Sequence, residues 1–238
     1  MLTEMQNAPR SFAERVERFL GEIEYRRAQT PEEIDALESL RYEAYLKEGA
    51  VHLTKERRLR DPFDDVPNTV NVGLFHSNKL ISALRLHHLT EPYHTSPALD
   101  VFPDMLKPLM EQGKRILDPN RFVADYECAR LHPELPYATV RLTIMAGTHY
   151  NVDIGTATVR QEHQAFYKRV FFAKEVCPPR DYPLLSKKIS LMVVDFANLR
   201  ERIIERNPFF ASSATERERI FGAPVLQPVE AGVRKQTA

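Results

Sequence analysis

The chain has 238 residues, 43% of them hydrophobic and 28% charged, which is typical of a globular protein with a buried core. Its 33 Lys and Arg balance 33 Asp and Glu, which argues against a general nucleic-acid-binding protein, because such proteins usually carry a basic excess. Cys128 and Cys177 lack the spacing of a metal site or redox motif. The N-terminus has no secretory signal pattern and no run approaches 18 apolar residues, so we expect a cytoplasmic protein without a membrane span.

Hydrophobic periodicity and turn residues predict alternating helices and strands. In chain order they are a helix over 11–20, a strand within 21–29, a helix over 31–47, a hairpin of 70–76 and 80–89, short helices within 91–113, a strand over 114–125, a helix over 136–151, a strand over 154–159, a helix over 161–172, a strand over 187–196 and a final helix over 197–207. The clearest start is Thr30 as N-cap, Pro31 at the first helical position and Glu33 completing a capping box. This order predicts one mixed α/β domain over 1–222 and a disordered tail over 223–238.

Arg41 falls on the apolar face of the predicted helix over 31–47. It follows Ile34 by seven residues and so lies about 20° from it around the helix, with Tyr45 on the same face. A guanidinium in this position needs an anion, because an unpaired buried charge is very costly. Asp61 and Asp64 are candidate partners, and such a pair can also bind an ammonium group. The alternatives are a purely structural ion pair for Arg41 and turn chemistry for the aspartates.

Two predicted strands carry charges among apolar residues. Arg85 in the second hairpin strand belongs either to a buried ion pair or to a cleft. Pro119 cannot donate to a central ladder and therefore implies an edge or a bulge at Pro119–Asn120, where we expect the sheet to splay. Such a bulge would bring Asp118 and Arg121 to one face and free backbone N–H groups for a ligand. We expect six charged side chains to converge on one cleft: Arg41, Asp61, Asp64, Arg85, Asp118 and Arg121.

The predicted helix over 161–172 carries an apolar stripe. His163, Phe166, Tyr167 and Val170 recur at i, i+3, i+4 and i+7, and core packing is the default interpretation of such a stripe. Tyr167 could instead place its hydroxyl in a cleft as a proton donor. The histidines lack metal-ligand spacing, so we predict no metal site.

In their order and spacing these motifs resemble acyl-homoserine-lactone autoinducer synthases, with Asp118 standing where that family has Glu. The matching segments are LRYEAY with Arg41 and Tyr45, the pair Asp61 and Asp64, RLHHLTEPY with Arg85, and DPNRFV at 118–123. The second half resembles the FeeM-like N-acyl amino acid synthases in HQAFYKRVF, CPPRDYPLL and ISLMVVDF. The resemblance covers residues 22–200. It implies a GNAT-like three-layer fold with a mixed, mostly antiparallel sheet splayed at a bulge and helices on both faces.

The resemblance further implies an acyltransferase. It would move a long-chain fatty acyl group from acyl carrier protein, or from acyl-CoA as second choice, to the amine of an amino acid, without a bound cofactor or metal. Asp118 would be the base, N–H groups at 120–122 would stabilise the oxyanion, Arg121 would shape the cleft and Tyr167 would protonate the departing thiolate. The implied substrate-binding residues are Arg41, Tyr45, Asp61, Asp64, Arg85 and Phe122.

An acidic carrier protein requires a basic docking surface. The candidates, for which a solvated helix face is the alternative, are Lys168, Arg169, Lys174, Arg180, Lys187 and Lys188. Three other functions stay open. They are an autoinducer synthase that uses S-adenosylmethionine, an acyltransferase acting on a peptide or polyamine, and a non-catalytic module that binds an acyl ligand. The first is disfavoured because the chain has no Trp, which autoinducer synthases usually carry after their first helix.

Overall fold

A computed structural model describes residues 11–91, 93–182 and 185–222. The helices of these residues are α1 (Phe12–Glu22), α2 (Pro31–Lys47), α3 (Pro97–Val101), α4 (Pro103–Glu111), α5 (Tyr126–Leu131), α6 (Leu135–His149), α7 (Gln164–Phe171), α8 (Phe196–Arg206) and α9 (Ala214–Phe221). The strands are β1 (Ile23–Arg27), β2 (Thr69–His76), β3 (Lys79–Leu89), β4 (Ile116–Ala124), β5 (Ile154–Val159), β6 (Lys174–Glu175) and β7 (Ser190–Asp195). The predicted tail over 223–238 lies outside the described residues.

Most predicted elements are present where the sequence indicates them. The Thr30 hydroxyl accepts the N–H of Glu33, whose carboxylate accepts the N–H of Thr30, and α2 runs from Pro31 to Lys47 as expected. Three elements are additional, namely α5, β6 and α9, so the prediction that the helix over 197–207 is the final one is wrong. These elements have two to eight residues, too few for a clear hydrophobic period.

The sheet is mixed and mostly antiparallel, as predicted. Its strand order is β1-β2-β3-β4-β5-β7-β6, and only the β4–β5 pair is parallel. The β2–β3 hairpin turns at Ser77 and Asn78, whose φ values of 49° and 63° belong to a type I′ turn. Helix α2 packs on one face against β3 and β4, and α6 packs against the same strands from the other face. The result is three layers with the main hydrophobic core between the sheet and α6.

Strand β4 leaves its neighbour β5 partway along the sheet. The two strands pair only through Ile116 and Leu117 of β4, so Pro119 occupies a stretch with an open edge on that side. On its other side β4 pairs with β3, and the register of this pair shifts between Ala83 and Arg85 of β3. The bulge therefore lies one to two residues beyond the predicted Pro119–Asn120 position, and Arg121 takes a left-handed φ of 53°.

Candidate active site

A cavity opens where β4 and β5 separate. Its volume is about 1250 Å³, and both strands contribute to its wall beyond their last pair. Apolar side chains of α6 and α8 line one side, including Val140, Ile144 and Phe196. The other side is closed by Tyr45 of α2 and by Tyr182 in the loop before β7. The cavity thus passes from the core beneath α6 to a more polar region beneath α2.

A network of buried ion pairs lies beside this polar region. Asp61 accepts both terminal nitrogens of Arg85, at 2.7 and 3.1 Å, and Nη2 of Arg121 at 2.5 Å. Asp64 accepts Nη1 of Arg41 at 2.7 Å and lies 2.8 Å from Nη1 of Arg85. All five side chains are at most 5% exposed. Five of the six charged residues expected on one cleft therefore meet one another, although 80 positions of sequence separate the first from the last. Only Arg121 among these five lines the cavity, and the other four lie behind it.

The pairing decides the charge state of the network. Burial alone would raise the pKa of Asp61, but the hydrogen bonds and charges of Arg85 and Arg121 outweigh it and hold the pKa far below its usual range. Burial likewise opposes ionisation of Asp64, and Arg41 and Arg85 outweigh it and lower the pKa of that carboxyl. Both aspartates are therefore anions, and three guanidinium groups face two carboxylates.

Asn120 and His87 anchor this network to the sheet. The Asn120 side-chain oxygen accepts Nε of Arg85 at 2.7 Å, and its amide nitrogen lies 3.0 Å from Nδ1 of His87. The His87 Nε2 lies 2.9 Å from the carbonyl oxygen of Phe63. Burial and the charge of Arg85 lower the pKa of His87 to about 3. The neutral ring therefore accepts from Asn120 and donates to Phe63.

Asp118 stands apart from the ion pairs. Its Oδ2 accepts the backbone N–H of Ala98 at 3.0 Å, and its Oδ1 accepts the hydroxyl of Thr156 at 3.1 Å. Burial raises the pKa of Asp118, opposed by hydrogen bonds from Ala98, Ser96 and Thr156. No arginine of the described ranges forms an ion pair with Asp118, because the start of α3 and Thr156 already satisfy its oxygens. The side chain is fully buried behind the cavity wall, whereas Thr156 is part of that wall.

The remaining residues nominated from the sequence line the cavity. Tyr45, Phe122 and Tyr167 all form part of its wall. The ring of Tyr45 lies 5.5 Å from the guanidinium carbon of Arg121, within the range of a cation–π contact. Burial, with a smaller effect of Tyr45, raises the pKa of Tyr167, so this hydroxyl keeps its proton at neutral pH.

Tyr182 was not nominated from the sequence, yet it borders the cavity. The residue is 8% exposed, and its hydroxyl has no hydrogen-bond partner among the residues that the structure describes. The Thr158 side chain lies near this phenol without meeting the geometry of a hydrogen bond. Burial raises the pKa of Tyr182, and neighbouring Asp118 adds to the effect. The CPPRDYPLL segment contains this tyrosine, but no periodicity indicates where such a loop side chain lies.

The described residues contain neither a metal-ligand cluster nor a membrane-spanning helix. They contain no group of three or more His, Cys, Asp or Glu side chains placed to hold a metal ion. None of the described helices combines the length and apolar character needed to cross a bilayer.

Comparison with known proteins identifies the family to which the chain is similar. The family model for N-acyl amino acid synthase FeeM matches residues 36–195. No curated protein sequence matches the chain. Among solved structures, the FeeM N-acyl amino acid synthase from uncultured soil microbes superposes with a TM-score of 0.64 at 14% identity, covering 79% of this chain and 97% of that one.

Two further structures share the architecture. An acyl-CoA N-acyltransferase from Pseudomonas aeruginosa has a TM-score of 0.51 at 17% identity, covering 72% of this chain and 99% of that one. The CoA-dependent acyl-homoserine lactone synthase BjaI has a TM-score of 0.54 at 16% identity, covering 79% of this chain and 92% of that one. At these identities the likeness shows a GNAT-like fold, whereas the family model spans well over half of the chain. The chain therefore belongs to the FeeM family of N-acyl amino acid synthases and is an acyltransferase.

Proposed function

We propose that the protein transfers a long-chain fatty acyl group from a thioester to the amine of an amino acid, giving an N-acyl amino acid and a free thiol. The observation that carries this proposal is the cavity at the β4–β5 separation. Its volume of about 1250 Å³ exceeds the roughly 300–1,000 Å³ of common small-molecule pockets. One side is apolar, as an acyl chain requires, and the other adjoins buried charges suited to a polar acceptor.

Aminolysis of a thioester requires a neutral amine, so an α-ammonium group must first lose a proton. We assign this proton to Asp118 through the Thr156 hydroxyl, which lines the cavity and bonds to Oδ1 of Asp118 at 3.1 Å. In that relay the Thr156 oxygen takes the ammonium proton while its own proton passes to Asp118. The raised pKa of Asp118 supports the role, because it makes the carboxylate a stronger base.

The attack creates an oxyanion, and its collapse expels a thiolate while the nitrogen loses its second proton to solvent. Beyond Leu117, β4 pairs with no strand on its β5 side in the part of the chain that the structure describes. N–H groups left out of the ladder there would stabilise the oxyanion. Tyr167 was predicted to protonate the thiolate. Because its pKa is raised, we propose instead that its hydroxyl donates a hydrogen bond to the leaving sulfur, and that the thiolate takes its proton from solvent.

We propose acyl carrier protein as the donor, ahead of acyl-CoA. Five of the six predicted docking residues are exposed, namely Lys168, Arg169, Lys174, Lys187 and Lys188. The sixth, Arg180, is bound to Asp104 at 2.6 Å and so contributes little charge. An acidic carrier would be attracted to this surface. By contrast, the start of α5 at the cavity wall is capped by the Asp125 carboxylate, which disfavours a CoA phosphate there.

We also propose a cytoplasmic location. Cys128 and Cys177 are both free thiols, as is usual in a reducing compartment.

The test is thiol release from acyl carrier protein loaded with C8 to C16 acyl groups, with each of the twenty amino acids or none. We expect amine-dependent release and an N-acyl amino acid detected by mass spectrometry, with acyl-CoA a poorer donor. Supplying S-adenosylmethionine in parallel tests autoinducer synthesis, whose product would be an acyl lactone. Acyl-ligand binding without thiol release in the presence of any amino acid or polyamine would refute the proposal in favour of a binding module.

A further inference from the structure

Two polar groups at the cavity wall are buried without partners. They are Nη1 of Arg121 and the hydroxyl of Tyr182, neither of which has a hydrogen-bond partner among the described residues. The two residues are 6% and 8% exposed and both line the cavity. Each also influences the titration of the other, which places them in electrostatic range. An unsatisfied buried donor costs about 1–3 kcal/mol, so this arrangement is typical of a site that a ligand completes.

The surrounding charge indicates what kind of ligand this is. The three guanidinium groups of the network meet two carboxylates, which leaves one positive charge uncompensated by a contact ion pair. Asp118 is another acid near Tyr182, but it forms no contact ion pair with the network, because its oxygens accept hydrogen bonds from Ala98 and Thr156. Burial raises the pKa of Tyr182, so this phenol keeps its proton and adds no negative charge. A guanidinium charge that the contact ion pairs do not balance favours an anion at this place.

The bulge places Arg121 in the cavity wall. Arg121 adopts a left-handed backbone with φ of 53°, which is uncommon for a residue other than glycine and is costly unless its surroundings enforce it. Its Nη2 is held by Asp61 at 2.5 Å, so the guanidinium has a fixed orientation while Nη1 remains available. A planar guanidinium held in this way, with a phenol within electrostatic range, suits the two oxygens of a carboxylate.

We propose that Arg121 Nη1 and the Tyr182 hydroxyl bind the α-carboxylate of the amino acid acceptor. This inference rests on the proposed function and deepens it, because it makes Tyr182 a determinant of specificity for carboxylate-bearing amines. The amine then lies within the cavity beside β4, and amines without a carboxylate are poor acceptors.

The test compares binding of an N-acyl amino acid with that of its carboxamide by isothermal titration calorimetry. The probe is the product found in the activity screen, or N-dodecanoyl-glycine and its carboxamide if none is found. We expect the parent protein to bind the acid at least tenfold more tightly, and Tyr182→Phe to reduce this ratio to below about threefold. Because the phenol has no hydrogen-bond partner among the described residues, Tyr182→Phe should keep or raise the Tm.

Tyr25→Phe is the matched control, since the Tyr25 hydroxyl donates to the carbonyl of Ala138 at 2.7 Å away from the cavity wall. It should lower the Tm and leave the acid-to-amide ratio unchanged. A ratio near one in the parent, or an unchanged ratio in Tyr182→Phe, would overturn the carboxylate site. If Tyr182→Phe lost turnover but kept the acid-to-amide binding ratio, the Tyr182 hydroxyl would instead bind the thioester carbonyl. Acid-selective binding without any thiol release would overturn the proposed reaction and leave the carboxylate site standing.

Discussion

Replacing Asp61 by Asn removes the charge that pairs with two of the three arginines in the buried network. The Asp61 carboxylate accepts three guanidinium N–H groups at 2.5 to 3.1 Å, from Arg85 and Arg121, and also the backbone N–H of Phe63. Asn keeps the volume but leaves three buried positive charges facing the single carboxylate of Asp64. Removing one partner of a buried pair typically costs about 3–5 kcal/mol. Against a typical stability of roughly 5–15 kcal/mol, this loss is large.

Asp35→Asn is the matched surface control. Asp35 also accepts two hydrogen bonds from one arginine, Arg58, at 2.5 and 2.7 Å, but its side chain is 57% exposed. An exposed pair of this kind typically contributes about 0–1 kcal/mol. Both variants and the parent would be compared by urea unfolding at pH 7, followed by far-ultraviolet circular dichroism.

A difference between the two variants below about 1 kcal/mol would refute the reasoning, since it would mean that burial does not raise the cost of losing Asp61. If Asp61→Asn alone is too unstable to purify, the double variant with Arg121→Met provides a second comparison. It removes one charge of each sign, so we expect it to recover part of the stability. A double variant less stable than Asp61→Asn would contradict the charge argument.

Three further outcomes are expected. Asp118→Asn should lower turnover by about 10²–10⁴-fold with an unchanged circular dichroism spectrum, and parent-like activity across pH would exclude Asp118 as the base. The pKa of His87 is about 6.5 in the unfolded chain and about 3 in the folded protein. Between these two values only the unfolded chain binds the proton, so the free energy of unfolding decreases as the pH falls. The decrease is at most about 1.4 kcal/mol per pH unit. Urea unfolding from pH 7 to 4 should show a smaller pH dependence in His87→Gln, and parallel curves would contradict this. Val140→Phe narrows the apolar side of the cavity and should shift the preferred acyl donor to a shorter chain; an unchanged chain-length profile would place the acyl group elsewhere.

The sequence alone determined the local elements and several of the ion-pair members. Helix α2 follows from the capping box at Thr30 and its apolar stripe, because both are set by residues within a few positions of one another. The buried arginines follow from a general rule, since a guanidinium on an apolar face must meet an anion. That rule and proximity in the chain are enough to predict that Arg41 pairs with Asp61 or Asp64.

The tertiary structure decided which partners those residues take. Asp118 belongs to the same strand as Arg121, yet its oxygens accept hydrogen bonds from the N–H of Ala98 and the hydroxyl of Thr156. The hydrophobic periodicity of the sequence predicts neither contact. The position of the bulge depends on how β3 and β4 align, which the isolated strand does not specify. Tyr182 lines the cavity although it lies in a loop. The position of a loop side chain is fixed by packing between distant segments rather than by a local sequence pattern.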